Sequence, residues 1–390
     1  PYLSHAPMET LDCVIQMEEG GCQVWAGSQL QTVDQGTVAA ILGLEAGQVT
    51  IDTLYGGGSF GRRATPNADV AAEAAAIVAA SGSRRPIKLV WTREDDIRGG
   101  RYRPLYLHRL EAGLDESGRL VAWRHRIVGQ SILTGTPFEP FLVQNGIDGT
   151  SVEGARTLPY AVPNLAVELH TTEVVVPVLW WRSVGHTQNG YVTEAFLDEA
   201  ARAAGRDPFE LRRELLAGHP RHRAALELAA QKAGWGQPLA AGRTRGIAVH
   251  SSFSSYVAEV AEVSRGEDGM PRVHRVVCAV DCGVAINPDN VRAQMEGGIG
   301  FGLGAALHSE ITLDAGRVVE RNFRDYPSLR LSEMPAVEVH IVPSAEAPTG
   351  VGEPGVPPIG PAVANAWLAL GGEPVRRLPF RRFVEEERAG

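Results

Sequence analysis

Glu353 is the one ionisable side chain in the run Gly350-Val351-Gly352-Glu353-Pro354-Gly355-Val356-Pro357-Pro358-Ile359-Gly360-Pro361, which leads into the apolar segment Ala362 to Leu370. Glycine and proline suppress regular structure there, and Pro361 sits where a helix tolerates it, because a first-turn amide has no intrahelical partner anyway. A carboxylate on a stiff loop at a helix N-terminus, poor in water, gains proton affinity and suits general-base work. The alternative is an ordinary loop glutamate. A second set, Trp180-Trp181-Arg182-Ser183-Val184-Gly185-His186, places Arg182 and His186 beside two aromatics. Such a corner fits a planar, anionic or carbonyl-bearing substrate, or else packs while Arg182 reaches water.

The glycine turn Gly56-Gly57-Gly58-Ser59-Phe60-Gly61 presents amides at a helix start, as an anion site or as a tight turn. No G-K-S/T follows, which excludes a P-loop. A second cluster, Gly297 to Gly304, follows a helix-like segment rather than a strand, so a dinucleotide fingerprint fails on context and close helix packing is the default. Asp281 to Pro288 passes through Asn-Pro into a helix carrying Gln294, which reads an amide or phosphate or simply faces solvent. Histidine spacing of the H-E-x-x-H kind does not occur, and Cys13, Cys22, Cys278 and Cys282 form no C-x-x-C pair. Neither a zinc knuckle nor an iron–sulfur cluster can be assembled from them, and Cys278 and Cys282 read as buried small apolar residues.

The elements that must position these groups alternate strand and helix. Strands are expected at Gln23 to Ala26, Val49 to Leu54 and Ile87 to Trp91, and helices at Thr32 to Leu42 and Asn67 to Ala80. Asp115-Glu116-Ser117-Gly118 marks a hairpin within Leu107 to Val128, followed by a long strand Leu165 to Val176 and a helix Asn189 to Ala204. Asp207-Pro208 caps another helix to about Leu216; Gly218-His219-Pro220 then reads as a linker. Long strands Gly246 to Val263 and Arg272 to Val280 and a helix Pro288 to Leu307 complete the pattern. The fold class is α+β, mixed β-sheets flanked by helices, in two subdomains: 1–218 with the glycine turn and 219–390 with the Glu353 loop.

At 390 residues, 44% hydrophobic, with no apolar run near the roughly 20 residues of a bilayer span, the chain can bury a sizeable core. Its formal charge is −9 with basic residues scattered, so it carries no nucleic-acid footprint. Only Lys88 and Lys232 are lysines among the 37 basic residues. Starting at Pro1, it reads as a processed or excised piece that retains no targeting information on bacterial periplasm or cytoplasm.

Taken together, His5-Ala6-Pro7-Met8-Glu9, Gly27-Ser28-Gln29, Gly56 to Gly61, Arg182 to Gly185, Asp281 to Pro288, Gln294 to Gly298 and Gly350 to Pro358 with Ala362 to Ala366 resemble the molybdenum-binding subunit of the xanthine dehydrogenase and aldehyde oxidase superfamily. The isoquinoline 1-oxidoreductase β-subunit group is the nearest in look. The resemblance implies a molybdopterin cytosine dinucleotide whose dithiolene carries Mo with oxo and sulfido ligands, so no metal ligand from the protein. It implies that Glu353 is the base that deprotonates a metal-bound hydroxide or water while hydride passes to the sulfido group. Gln29 would stand beside the metal's oxo and sulfido ligands, the backbone of Gly57, Gly58, Ser59, Phe60 and Gly61 under the metal, and Gln294 on the pterin. Arg182 and His186 would meet the substrate, an aldehyde or N-heterocycle.

Partners implied are a small subunit with 2Fe–2S clusters and, in some relatives, a cytochrome c. The family's G-Q-G segment is missing, which makes the chain resemble the C-terminal half of a subunit whose N-terminal part completes the cofactor site. Arg62 and Arg63 replace the family's small and acidic residues after the glycine turn, so the pocket should differ from that of purine oxidisers. A non-catalytic scaffold paralogue and a flavin or nicotinamide dehydrogenase are the rival readings. The substrate pocket is expected to be shaped by loops such as Thr134 to Asn145.

Overall fold

The computed structural model describes residues 1–389 and arranges them as mixed sheets faced by helices, as the α+β reading expects. Alternation of Cys13 and Ile15 with Cys22 and Val24 makes β1 (Asp12–Glu18) and β2 (Gly21–Ala26) an antiparallel pair with one buried face. β3 (Val49–Thr53) joins β2 in parallel after α1 (Gln31–Leu42). After α2 (Asp69–Ser81), β4 (Ile87–Val90) joins β1, giving the order β3-β2-β1-β4. Ala71, Ala74, Ala75 and Val78 recur at helical spacing on α2 and close over Cys13, Ile15 and Val24. This layer releases Gln29 from the end of β2 and the glycine turn from the end of β3.

The short α3 (Arg93–Arg98) is capped by Thr92, whose hydroxyl accepts the Asp95 N–H. β5 (Tyr106–Leu114) and β6 (Leu120–Gly129) form the expected hairpin. A lobe of α4 (Glu139–Leu142) with the two-stranded β7 (Val143–Gln144) and β8 (Ile147–Asp148) follows. β9 (Asn164–Thr171) then adds to β6 in parallel. It stops short of the expected Val176.

α5 (Gly185–Ala203) and α6 (Pro208–Leu215) are locked by Arg212, fully buried, which donates to Glu194 and Asp198 at 2.9 Å each. The expected linker instead opens α7 (Pro220–Ala233), with Pro220 at its first position, where proline is favoured. One core cluster runs across residue 218, joining Leu120, Trp123 and Leu197 to Leu226, Val249 and Ala279.

The largest sheet has the order β10-β11-β12-β15. The strand expected from Gly246 to Val263 is two, β10 (Arg243–Ser252) and β11 (Ser255–Arg265), because the chain reverses at Phe253 and Ser254. Both sit at positive φ, +52° and +62°, without the Asn-Gly or Asp-Gly signature of such turns. β12 (Pro271–Asp281), α8 (Pro288–Leu307), the hairpin β13 (Leu313–Asp314) with β14 (Arg317–Val318), and β15 (Ala336–Ile341) follow. The sheet is covered on both faces: Val249, Ala258 and Val277 meet α7, while Ala248, Val257 and Cys278 face α8 and α9 (Ile359–Ala369). A Cβ on Gly246 would lie 2.1 Å from the Ala362 carbonyl oxygen, so α9 rests directly on β10. Pro361 is the third residue of α9, within the first turn, which needs no N–H from it. α10 (Phe380–Ala389) ends the described chain, all four cysteines are buried free thiols, and among the described residues no helix is long and apolar enough to cross a membrane.

Candidate active site

The turn that starts α5 is strained. Ser183 lies at φ +78° and Val184 at φ +49°, ψ −131°, a region that a β-branched residue occupies at a cost of about 1–3 kcal/mol. The distortion aims two backbone N–H groups outward. Ser183 N–H donates to Glu353 Oε2 at 2.6 Å, and Gly185 N–H to Glu153 Oε2 at 3.2 Å. The Ser183 hydroxyl donates to the Glu353 carbonyl oxygen at 2.7 Å, clamping the loop a second time. Glu353 thus sits at a helix N-terminus, but at that of α5 rather than that of α9, the helix that follows it in sequence. The dipole of α5 favours an anion there. Burial nevertheless raises the Glu353 pKa, outweighing the Ser183 N–H and the Arg182 charge, which lower it.

Arg182 holds the surroundings in register. Its Nε donates to the Gly352 carbonyl oxygen at 2.7 Å, and its Nη2 reaches Gln294 Oε1 at 3.0 Å and the Gln294 carbonyl oxygen at 3.3 Å. The glutamate loop and the start of α8 are therefore tied by one guanidinium. Farther along α8 the helix lies against the loop backbone: a Cβ on Gly298 would be 3.1 Å from the Gly355 carbonyl carbon, and one on Gly302 2.9 Å from the Val356 carbonyl oxygen. The glycine cluster is a packing stripe, as its context indicates.

Gln29 lies in a separate group. Its side-chain oxygen accepts the Ser59 hydroxyl, and its N–H donates to the Arg63 carbonyl oxygen at 3.1 Å. Glu9 clamps the glycine turn from outside, accepting the Gly57 N–H while its own N–H donates to the Gly57 carbonyl at 3.0 Å. Gly58 and Gly61 sit at φ +99° and +104°, and a Cβ on Gly61 would be 2.9 Å from Trp180 Cδ1. Phe60 stacks on Phe301 of α8 at 4.3 Å, and Phe301 on Trp181 at 4.4 Å, which joins the Gln29 group to the Arg182 turn. No direct hydrogen bond links Gln29 with Glu353 among the described residues.

Arg62 and Arg63 turn inward. Arg62 pairs with Asp69 at 2.9 Å and is 2% exposed; Arg63 pairs with Glu9 at 3.0 Å. Their guanidinium groups brace the turn instead of facing a substrate. His186 is half-buried, its Nδ1 2.9 Å from His250 Nε2, and burial pushes its pKa down to about 4. Phe138 of the Thr134 to Asn145 segment approaches Trp180, with ring centroids 6.1 Å apart, so that segment borders the corner.

Three participants escape the sequence. Ser183 is an ordinary serine until its backbone is seen, Glu153 sits in no motif, and Phe253 reaches the site only because the β10–β11 turn places it 5.8 Å from His186 and against Gly350. A cavity of about 650 Å³ lies behind Val356 to Pro361 and touches neither Glu353 nor the two glutamines. No group of three or more His, Cys, Asp or Glu suited to a metal ion occurs among the described residues.

A family model described as a molybdopterin cofactor-binding domain matches residues 1–216, and a second with the same description matches residues 200–335. The isoquinoline 1-oxidoreductase subunit beta of Brevundimonas diminuta is 36% identical over 393 residues, 99% of this chain and 50% of that protein. The membrane-bound aldehyde dehydrogenase (pyrroloquinoline-quinone) of Gluconacetobacter polyoxogenes is 28% identical over 414 residues, 97% and 52%. The chain thus spans about half the length of these curated relatives. The crystal structure of quinoline 2-oxidoreductase from Pseudomonas putida 86 superposes with a TM-score of 0.80 at 16% identity, covering 98% of this chain and 74% of that one, which establishes a shared fold. The ordered motifs and the family models agree: this chain belongs to the molybdopterin cofactor-binding domain family.

Proposed function

We propose that this chain is the catalytic, C-terminal part of a molybdenum hydroxylase subunit that oxidises an aldehyde or an N-heteroaromatic carbon with oxygen taken from water. The observation that carries the reading is Glu353, a carboxylate of raised proton affinity held by a strained backbone between Arg182 and α5.

The residues present fit a molybdopterin group. Gln29 and Gln294 each have the side-chain oxygen engaged by Ser59 or Arg182, while no protein acceptor takes their amide nitrogens among the described residues. Both side chains are exposed, as is the Gly56–Gly57 backbone, so these donors flank an open face. Gln29, the backbone from Gly57 to Gly61 and Gln294 would hold the group, taken here as the cytosine dinucleotide form. When bound, it supplies the two-electron acceptor and the oxygen-activating metal. Glu353 then accepts the proton released as water becomes the nucleophile, and its Ser183 hydrogen bond fixes the accepting oxygen. Arg182 holds that loop at Gly352 and His186 borders the approach, with Phe253 as a wall that admits planar substrates.

The N-terminal part of the same subunit and a small 2Fe–2S subunit would complete the complex, with cytochrome c as a further electron acceptor. In that complete complex Glu353→Gln should keep molybdenum and pterin content unchanged and reduce turnover at least about a hundredfold. Near-normal turnover would refute the assignment. Absence of molybdenum from the wild-type complex would instead favour a scaffold role, or a quinone cofactor of the kind named for the Gluconacetobacter relative.

A further inference from the structure

Glu353 has a carboxylate neighbour across the same turn. Glu153 follows the 3-10 turn Gly149–Val152 and accepts the Gly185 N–H, two residues along from the N–H that Glu353 accepts. Its position is built rather than incidental. Asn189, fully buried on α5, donates Nδ2 to the carbonyl oxygens of Ser151 at 3.0 Å and Glu153 at 2.8 Å. A Cβ on Gly185 would lie 1.8 Å from the Thr150 oxygen, so the two turns are pressed together. Gly154, at φ +74°, lies flat on a histidine pair: a Cβ there would be 2.5 Å from His250 Cε1 and 3.1 Å from His186 Nδ1. His186 Nε2 lies 4.0 Å from Glu153 Oε2, and its Nδ1 shares a proton with His250 Nε2 at 2.9 Å.

We propose that Glu153 is the proton acceptor that empties Glu353 after each turnover, positioned by the His186–His250 pair. This rests on Glu353 being the base. In the step, the O–H bond of protonated Glu353 breaks as one forms on the Glu153 carboxylate; no electrons move, and Glu153 then releases the proton to water at its exposed edge. The surroundings support such a shuttle. Burial, then the like charges of Asp148 and Glu353, push Glu153 up to about 7 against the Gly185 N–H and Arg156, so it both takes and gives a proton near neutrality. His186 is lowered by burial, and His250 by burial and then by His186 and His222, so the pair stays neutral while Glu153 titrates. Two interacting carboxylates titrate as a pair.

The test uses the complete holo complex. Glu153→Gln keeps an acceptor for Gly185, so cofactor content should hold while turnover falls about tenfold. Imidazole or another small buffer should restore the rate in proportion to its concentration, which a structural defect would not show. Glu153→Asp should retain most of the rate, and Glu153→Gln should remove one carboxyl infrared band that titrates near neutrality in the wild type. Turnover within about twofold of wild type at every pH, or a loss that no buffer rescues, overturns the proposal. If Glu353→Gln is itself active, the base assignment falls first; if it is inactive while Glu153→Gln is normal, the relay alone falls.

Discussion

Two turns present backbone N–H groups at the site, and they differ in how far glycine carries the geometry. The glycine turn puts Gly58 and Gly61 at φ +99° and +104°, where glycine is unstrained, leaves only Phe60 at φ +58° between them, and is steadied by Glu9 and the Phe60–Phe301 stack. The Arg182–Gly185 turn forces a serine and a valine into similar territory, and its own clients, Glu353 and Gly352, hold it there. A glycine turn can relax when its ligand leaves. A strained turn has one arrangement as long as its partners stay, which suits an acid–base group whose reach is a few tenths of an ångström.

The largest expected effect is at the glycine turn. Gly61→Ala adds a Cβ at forbidden φ and 2.9 Å from Trp180, and should destabilise the folded subunit by roughly 2–4 kcal/mol in denaturant melts. A loss below about 1 kcal/mol would mean that glycine is not what sets that turn. Val184→Gly should go the other way: stability holds or rises by up to about 1 kcal/mol despite the lost side chain, while turnover falls because Glu353 is less firmly aimed. A clear drop in stability would show that the turn is not strained.

The smallest effect concerns pH. The folded pKa of Glu353 lies above its unfolded value, so its contribution to stability is full below the unfolded pKa and declines as pH rises through the folded one. Glu353→Gln should therefore flatten the stability-versus-pH curve in that window. Activity has the opposite dependence, failing on the acid side where the base is protonated.

The parts of this arrangement that were legible in the sequence are those written in glycine, proline and periodicity. The stiff loop around Glu353, the glycine turn and the 20-residue α8 carry that punctuation. The destination of Glu353 does not, because Ser183-Val184 is a positive-φ pair made of residues that usually avoid it. Phe253-Ser254 hid a hairpin for the same reason, and Gly218-His219-Pro220 was ambiguous because its proline serves a helix start as readily as a break. Gln29 became a candidate through the family's motif order alone, and Gln294 was one of two open readings of a helix glutamine; their engagement by Ser59 and Arg182 needed the fold. Glu153 lacked even that, since its importance lies in what α5 brings beside it.

The stripe of glycines on α8 has a consequence for how this protein can change. Gly298 and Gly302 press on the backbone of Gly355 and Val356, so helix and loop share one surface. A larger residue on either side must be answered by a smaller one or a shift on the other, and Gln294 and Glu353 would move with it. The two motifs form a matched pair: transplanting the glutamate loop into another subunit without its α8 should give a folded protein whose base is misplaced.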